Sequence, residues 1–281
     1  MEMLHFYHPI DIVGLIALGF GVGAYGTLIG AGGGFVLMPL LLLLYPHDSP
    51  ELLTSISLAV VFFNTLSGSE AYAVMKRIDY KTGFLFAGAT VPGAVLGALN
   101  TAYVPRHVFD TIFGVILLAA AVFIGFRRNW AKAPQNGRPT SRHRMSRHLV
   151  DAHGIVYDYS FNPFLGVGIS LFVGYISSFL GIGGGIIHVP ALSYLLNFPV
   201  HIATATSHFI LAFMALTGTA VHILSGTFSH GVQRTVALAI GVLMGAQLGA
   251  HLSERIKGIW IIRSLSLALG LVALRILSTS W

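Results

Sequence analysis

The chain has no cysteine among its 281 residues, which excludes disulfides and thiolate metal ligands. Charge is also scarce. Asp, Glu, Lys and Arg make up 9% of the residues, against about 25% in soluble globular domains. None of the four occurs from Ile12 to Tyr45, and none from Tyr159 to Gln233. Both stretches exceed the roughly 20 apolar residues that cross a bilayer. They do not alternate apolar with polar residues, so they do not read as β-barrel strands. The class implied is an all-α polytopic membrane protein, with the lipid bilayer as its surroundings.

The formal charge of +6 does not point to nucleic acid. Its largest share lies in one loop, with Arg127, Arg128, Lys132, Arg138, Arg142, Arg144 and Arg147. In a membrane protein such a cluster marks the cytoplasmic side. The opening MEMLHFYHPID lacks a basic n-region and a cleavage site. The first apolar segment is therefore expected to belong to the mature protein.

Pro134, Asn136, Gly137 and Pro139 interrupt the basic loop, which divides the chain near its middle. Apolar segments are expected near 11–29, 34–45, 52–74, 82–103 and 108–126, then near 163–180, 185–197, 202–224, 235–252 and 259–277. The organisation that follows is a first membrane repeat over 1–127, a basic cytoplasmic linker over 128–160 and a second membrane repeat over 161–281.

Laying one half on the other supports a duplication. At an offset of 151, Gly23 meets Gly174, Gly30 meets Gly181, Gly32 to Gly34 meet Gly183 to Gly185, and Pro39 meets Pro190. At 150, Thr54 meets Thr204, Ser57 meets Ser207 and Gly68 meets Gly218. At 152, GAVLGA (93–98) meets GAQLGA (245–250). An odd number of segments per half makes the repeats inverted. With 127–162 cytoplasmic, inversion puts Lys76, Arg77, Lys81, Arg255 and Lys257 inside, whereas parallel repeats would put Arg255 and Lys257 outside. The fold expected is two pseudo-symmetric inverted repeats of about five segments, with helices broken at glycine-rich motifs.

Those motifs are GAGGGFVLMP (30–39) and GIGGGIIHVP (181–190). Non-helical backbone at membrane depth survives only where protein or a wet cavity satisfies it. Inverted repeats with interrupted helices are a transporter architecture. After each GGG a new apolar segment starts, and its first N–H groups and positive dipole end can hold an anion. Gly30, Gly32, Gly33, Gly34, Gly181, Gly183, Gly184 and Gly185 are the candidate cradle. The competing reading is close helix packing through small residues. A dinucleotide site fits poorly, because it needs a preceding strand and an acidic residue about 20 positions on.

GTLIGAGGGFVLMPLL and SSFLGIGGGIIHVPAL resemble the paired signature of the TauE/SafE sulfite exporter family, the TSUP transporters. The resemblance spans nearly the whole chain. It implies a secondary carrier, multi-pass in the bacterial inner membrane, that exports small sulfur-containing anions such as sulfite, sulfoacetate or other organosulfonates. The alternatives are an anion channel and a proton-coupled carrier for another small organic anion.

Polar groups inside spans are candidates by default. Thr54, Ser57, Thr204 and Ser207 match between the halves. They can donate to sulfonate oxygens or back-bond to their own helix. Asn64 faces Met214 in the repeat, and Gln247 faces Val95. Each can bind solute or bridge helices. His188 and His208 can carry a coupling proton or polarise toward the anion; His222 lies nearer a helix end. Coupling to a proton or to sodium is open. No close HxxxH pair joins these three histidines, and no metal or other cofactor is expected. Glu70 reads either as a proton relay or as a partner for Lys76 and Arg77. No Lys or Arg lies in mid-span, so an anion site must use N–H dipoles, hydroxyls, amides and imidazole. An intramembrane enzyme is not expected. No GxSG surrounds Ser67 or Ser225, and paired mid-span aspartates are absent.

Overall fold

The computed structural model describes residues 9–126, 144–253, 270–271 and 273–278. In chain order these form α1 (Pro9–Ile29), α2 (Gly34–Leu44), α3 (Pro50–Val74), α4 (Tyr80–Thr101) and α5 (Arg106–Phe126). A hairpin of β1 (Met145–Val150) and β2 (Val156–Phe161) follows. Then come α6 (Pro163–Leu180), α7 (Gly185–Pro190) with a π turn over Ala191–Leu195, α8 (Val200–Leu224), a 3-10 turn (Thr227–Gly231) and α9 (Val232–Leu252). Most of the tenth expected segment, 259–277, lies outside the described residues, as do Arg255, Lys257 and much of the basic loop.

Local chemistry sets the helix starts. Ser49 Oγ accepts from the Leu52 N–H at 3.2 Å, Asp79 Oδ1 from the Thr82 N–H at 3.2 Å, and Asn162 Oδ1 from the Phe164 N–H at 3.0 Å. Pro50 and Pro163 supply rigid first positions. Six described helices are long and apolar enough to cross a membrane. Gly34–Leu44 and Gly185–Leu195 are shorter apolar helices. Eleven residues reach only about 16 Å, half of an apolar core about 30 Å thick.

Small residues set the packing. α1 lies along α9, and α4 along α6. A Cβ on Gly19 or Gly23 would run into the backbone of Leu238 or Val242, and one on Gly241 or Gly245 into that of Ile16 or Phe20. Gly93 and Gly97 meet the backbones of Leu171 and Tyr175 in the same way. The GAVLGA and GAQLGA motifs are thus close-approach surfaces. α3 and α8 pack on each other at the centre, α3 also on α9 and α8 also on α4. This partner scheme is unchanged when α1, α3 and α4 are exchanged for α6, α8 and α9.

The central linker was expected to be a loop, but residues 145–161 form an antiparallel hairpin. Met145 pairs with Phe161, and Val150 with Val156. Tyr159 and Phe161 face inward and join Phe86, Leu192, Phe198 and Ile202 in an apolar cluster. Polar contacts pin the hairpin to the α3–α4 turn. Asp79 accepts from Tyr159 Oη at 2.8 Å and pairs with Arg147 at 3.3 Å. Asp151 lies 3.7 Å from Arg77 and accepts from the N–H groups of His153 and Ile155. Burial pushes the Asp151 carboxyl upward, but those two N–H groups and the Arg77 charge outweigh it, so its pKa lies below the usual carboxylate value. Burial, followed by the Asp79 charge, pushes the Tyr159 phenol well up.

Candidate functional site

Both glycine motifs fold into the same kink. Gly30, Gly32 and Gly33 have φ of 81°, 74° and 79°, and Gly181, Gly183 and Gly184 have 67°, 77° and 67°. These left-handed values favour glycine. The Ala31 N–H closes the end of α1 on the Gly26 carbonyl at 2.9 Å, and the Ile182 N–H closes α6 on that of Ser177 at 3.2 Å. The Gly33 carbonyl then accepts from Val36 and Leu37 to start α2, and that of Gly184 from Ile187 and His188 to start α7.

The kinks meet at the centre of the fold. A Cβ on Gly34 would stand 2.7 Å from the Ile182 carbonyl oxygen, and one on Gly185 2.7 Å from that of Gly30. Gly30 packs on Thr204, and Gly181 on Thr54. Residues 30–35 and 181–186 are all buried, and the two turns touch.

The other candidates divide into several groups. Ser57 Oγ donates to the Gly181 carbonyl at 2.6 Å, which ties α3 to the second kink. Ser207 and Thr54 hydroxyls are buried without a hydrogen-bond partner among the described residues. Asn64 and His208 meet at Thr27. The Thr27 hydroxyl donates to Asn64 Oδ1 at 3.2 Å, and His208 Nε2 lies 3.3 Å from the same hydroxyl. Tyr72 Oη donates to the Thr27 carbonyl at 2.8 Å. His188 is separate, with Ser170 Oγ 3.2 Å from its Nε2 and the edge of Phe86 beside it. Gln247 stands apart from the kinks. Its Nε2 donates to the carbonyl and hydroxyl of Ser67, both at 2.9 Å, and bridges α9 to α3. Glu70 is exposed. His222 lies 4.0 Å from Glu51 near the end of α8.

Thr27 and Tyr72 escape a reading of the sequence. Thr27 did leave a signal, because it is a hydroxyl three residues before Gly30 that matches Ser178 before Gly181. Tyr72 left none.

A family model described as Sulfite exporter TauE/SafE matches residues 15–276, which include both kinks and all the helices between them. The chain belongs to this family. Its TauE/SafE character extends to curated relatives. It is 31% identical over 276 residues to the probable membrane transporter protein YunE of Bacillus subtilis, covering 95% of this chain and 98% of the relative. It is 25% identical over 272 residues to a probable membrane transporter protein of Methanocaldococcus jannaschii, covering 92% and 93%. No solved structure matches. This TauE/SafE chain is an integral, multi-pass membrane protein of a transporter family.

Proposed function

We propose that the chain is a secondary carrier that exports small sulfur-containing anions, such as sulfite, sulfoacetate or another organosulfonate, by alternating access. The observation that carries this reading is the pair of glycine kinks in contact with each other, with Gly30 against Thr204 of α8 and Gly181 against Thr54 of α3. Each breaks a membrane helix at the same motif, and each starts a short helix whose N–H end is electropositive. The two halves act as inverted repeats that rock about this point. Alternating access requires the touching kinks to separate, which opens the seat to one side at a time. Hydroxyls, amide and imidazole surround the seat in place of a fixed cation. Binding is therefore modest, as a carrier that must release its load requires. The solute is driven by a proton or sodium gradient, the hairpin side faces the cytoplasm, and the membrane is the bacterial inner membrane.

The test is counterflow in proteoliposomes against a panel of sulfite, thiosulfate, sulfoacetate, taurine and chloride. A carrier gives saturable uptake accelerated by internal solute. Uptake linear in concentration and indifferent to internal solute would instead establish a channel.

A further inference from the structure

We propose that the anion seat is one-sided: it lies at the N-terminus of α2, where the Asn64 carboxamide completes it, and the second kink forms its opposing wall. This rests on the transport reading above and specifies which kink binds.

The two kinks share a backbone path, but their polar groups differ. At the first, no backbone carbonyl among the described residues accepts from the N–H of Gly33, Gly34 or Phe35. At the second, the N–H groups of Gly184 and Ile186 are open in the same way among the described residues, but that of Gly185, the counterpart of Gly34, is occupied by the Gly183 carbonyl at 2.9 Å. α2 continues for 11 residues, whereas α7 gives way to a π turn after six.

The side chains sharpen the contrast. Asn64 is 0% exposed, and its Nδ2 has no hydrogen-bond partner among the described residues. That nitrogen lies 3.4 Å from where a Cβ on Gly33 would stand, so it is aimed at the N-terminal turn of α2. A buried amide donor left open beside open backbone donors is a site awaiting an acceptor. The equivalent of Asn64 in the second half is Met214, and that of His208 is Leu58.

Thr27 and His208 act as positioning residues. The single hydroxyl proton of Thr27 goes to Asn64 Oδ1. Its oxygen is then free to accept from His208 Nε2–H. This chain fixes the carboxamide with its N–H₂ toward α2. Backbone and amide donors converging from two directions suit an oxyanion with several acceptor oxygens, such as the three of sulfite or a sulfonate, better than a halide.

The experiment is thermal unfolding of the purified full chain with sulfite, sulfoacetate or chloride titrated in. For the wild type, sulfite or sulfoacetate raises the melting temperature and chloride does not. Asn64→Met installs the residue that the second half already accommodates, and should weaken the response about tenfold or more. Thr27→Val should weaken it less, and Ser178→Ala, the counterpart substitution at the second kink, should leave it within about twofold. Should Asn64→Met fail to fold, Asn64→Ala carries the same expectation. An unchanged anion response in the Asn64 variant would make Asn64 a helix bridge and overturn the proposal. An equal loss in Ser178→Ala would make the seat shared and overturn it too. No response of the wild type to either sulfur anion would defeat the transport reading itself, before any variant is compared.

Discussion

Ser57 Oγ donates a 2.6 Å hydrogen bond to the carbonyl of Gly181, 124 positions away. A side chain of α3, in the first half, therefore holds the left-handed glycine that ends α6 in the second. The reverse contact is missing, because Ser207, the counterpart of Ser57, is buried with no hydrogen-bond partner among the described residues. The backbone symmetry is not matched by polar symmetry.

That difference predicts unequal alanine substitutions. Ser57→Ala leaves a buried carbonyl unpaired and should cost about 1–3 kcal/mol. Ser207→Ala removes an unpaired buried hydroxyl and should be neutral or stabilising. Thermal unfolding of both variants in the same detergent checks the order. Equal losses would show that the Ser57 contact contributes nothing of its own.

Glycine substitutions separate close approach from open space. Gly241→Ala drives a methyl into the Ile16 carbonyl at the α1–α9 seam and should lower the melting temperature markedly. Gly14 has open space around its Cβ position and sits inside α1. Gly14→Ala should therefore stabilise by about 0.5–1 kcal/mol, from the lower entropy of the unfolded chain. A harmful Gly14→Ala would mean that this face of α1 is covered by something else.

The hairpin should detach in acid. The folded-state pKa of Asp151 lies below its ordinary value, so its contribution is present above the unfolded value of about 4 and is lost as pH falls through the folded one. Protection against hydrogen exchange across 145–161, taken relative to the intrinsic rate at each pH, should fall below about pH 4 while α3 and α8 stay protected. Asp151→Asn should make the hairpin exchange quickly already at neutral pH and remove the acid dependence. Asp79→Ala should be more disruptive. It uncaps α4, removes the acceptor of Tyr159 Oη and leaves Arg147 with the Thr82 hydroxyl but no carboxylate, a change of about 3–5 kcal/mol for a broken buried pair.

Much of this fold was legible before any coordinates. The scarcity of charge gave the class, and apolar runs gave helix positions to within a few residues, as 52–74 against Pro50–Val74 shows. The glycine duplication located both kinks because left-handed backbone selects glycine and little else. The hairpin was hidden. Basic and breaker residues beside it read as a loop, and the alternation of Tyr157, Tyr159 and Phe161 is too short to stand out. The Thr27–Asn64–His208 cluster was hidden for another reason. It joins α1, α3 and α8, and the register between separate helices is set by packing that no local pattern encodes. Gln247 shows the limit from the other side, since its polarity inside a span marked a helix bridge away from the kinks.

The most direct test of the central claim is counterflow of labelled sulfite or sulfoacetate in proteoliposomes bearing wild type, Gly33→Val or Gly184→Val, each shown by its elution profile to be folded. The wild type should give saturable flux stimulated from the opposite side, and both variants should lose it, because a branched side chain at those φ values distorts the kink. Wild-type rates in both folded variants would contradict a central role for the kinks.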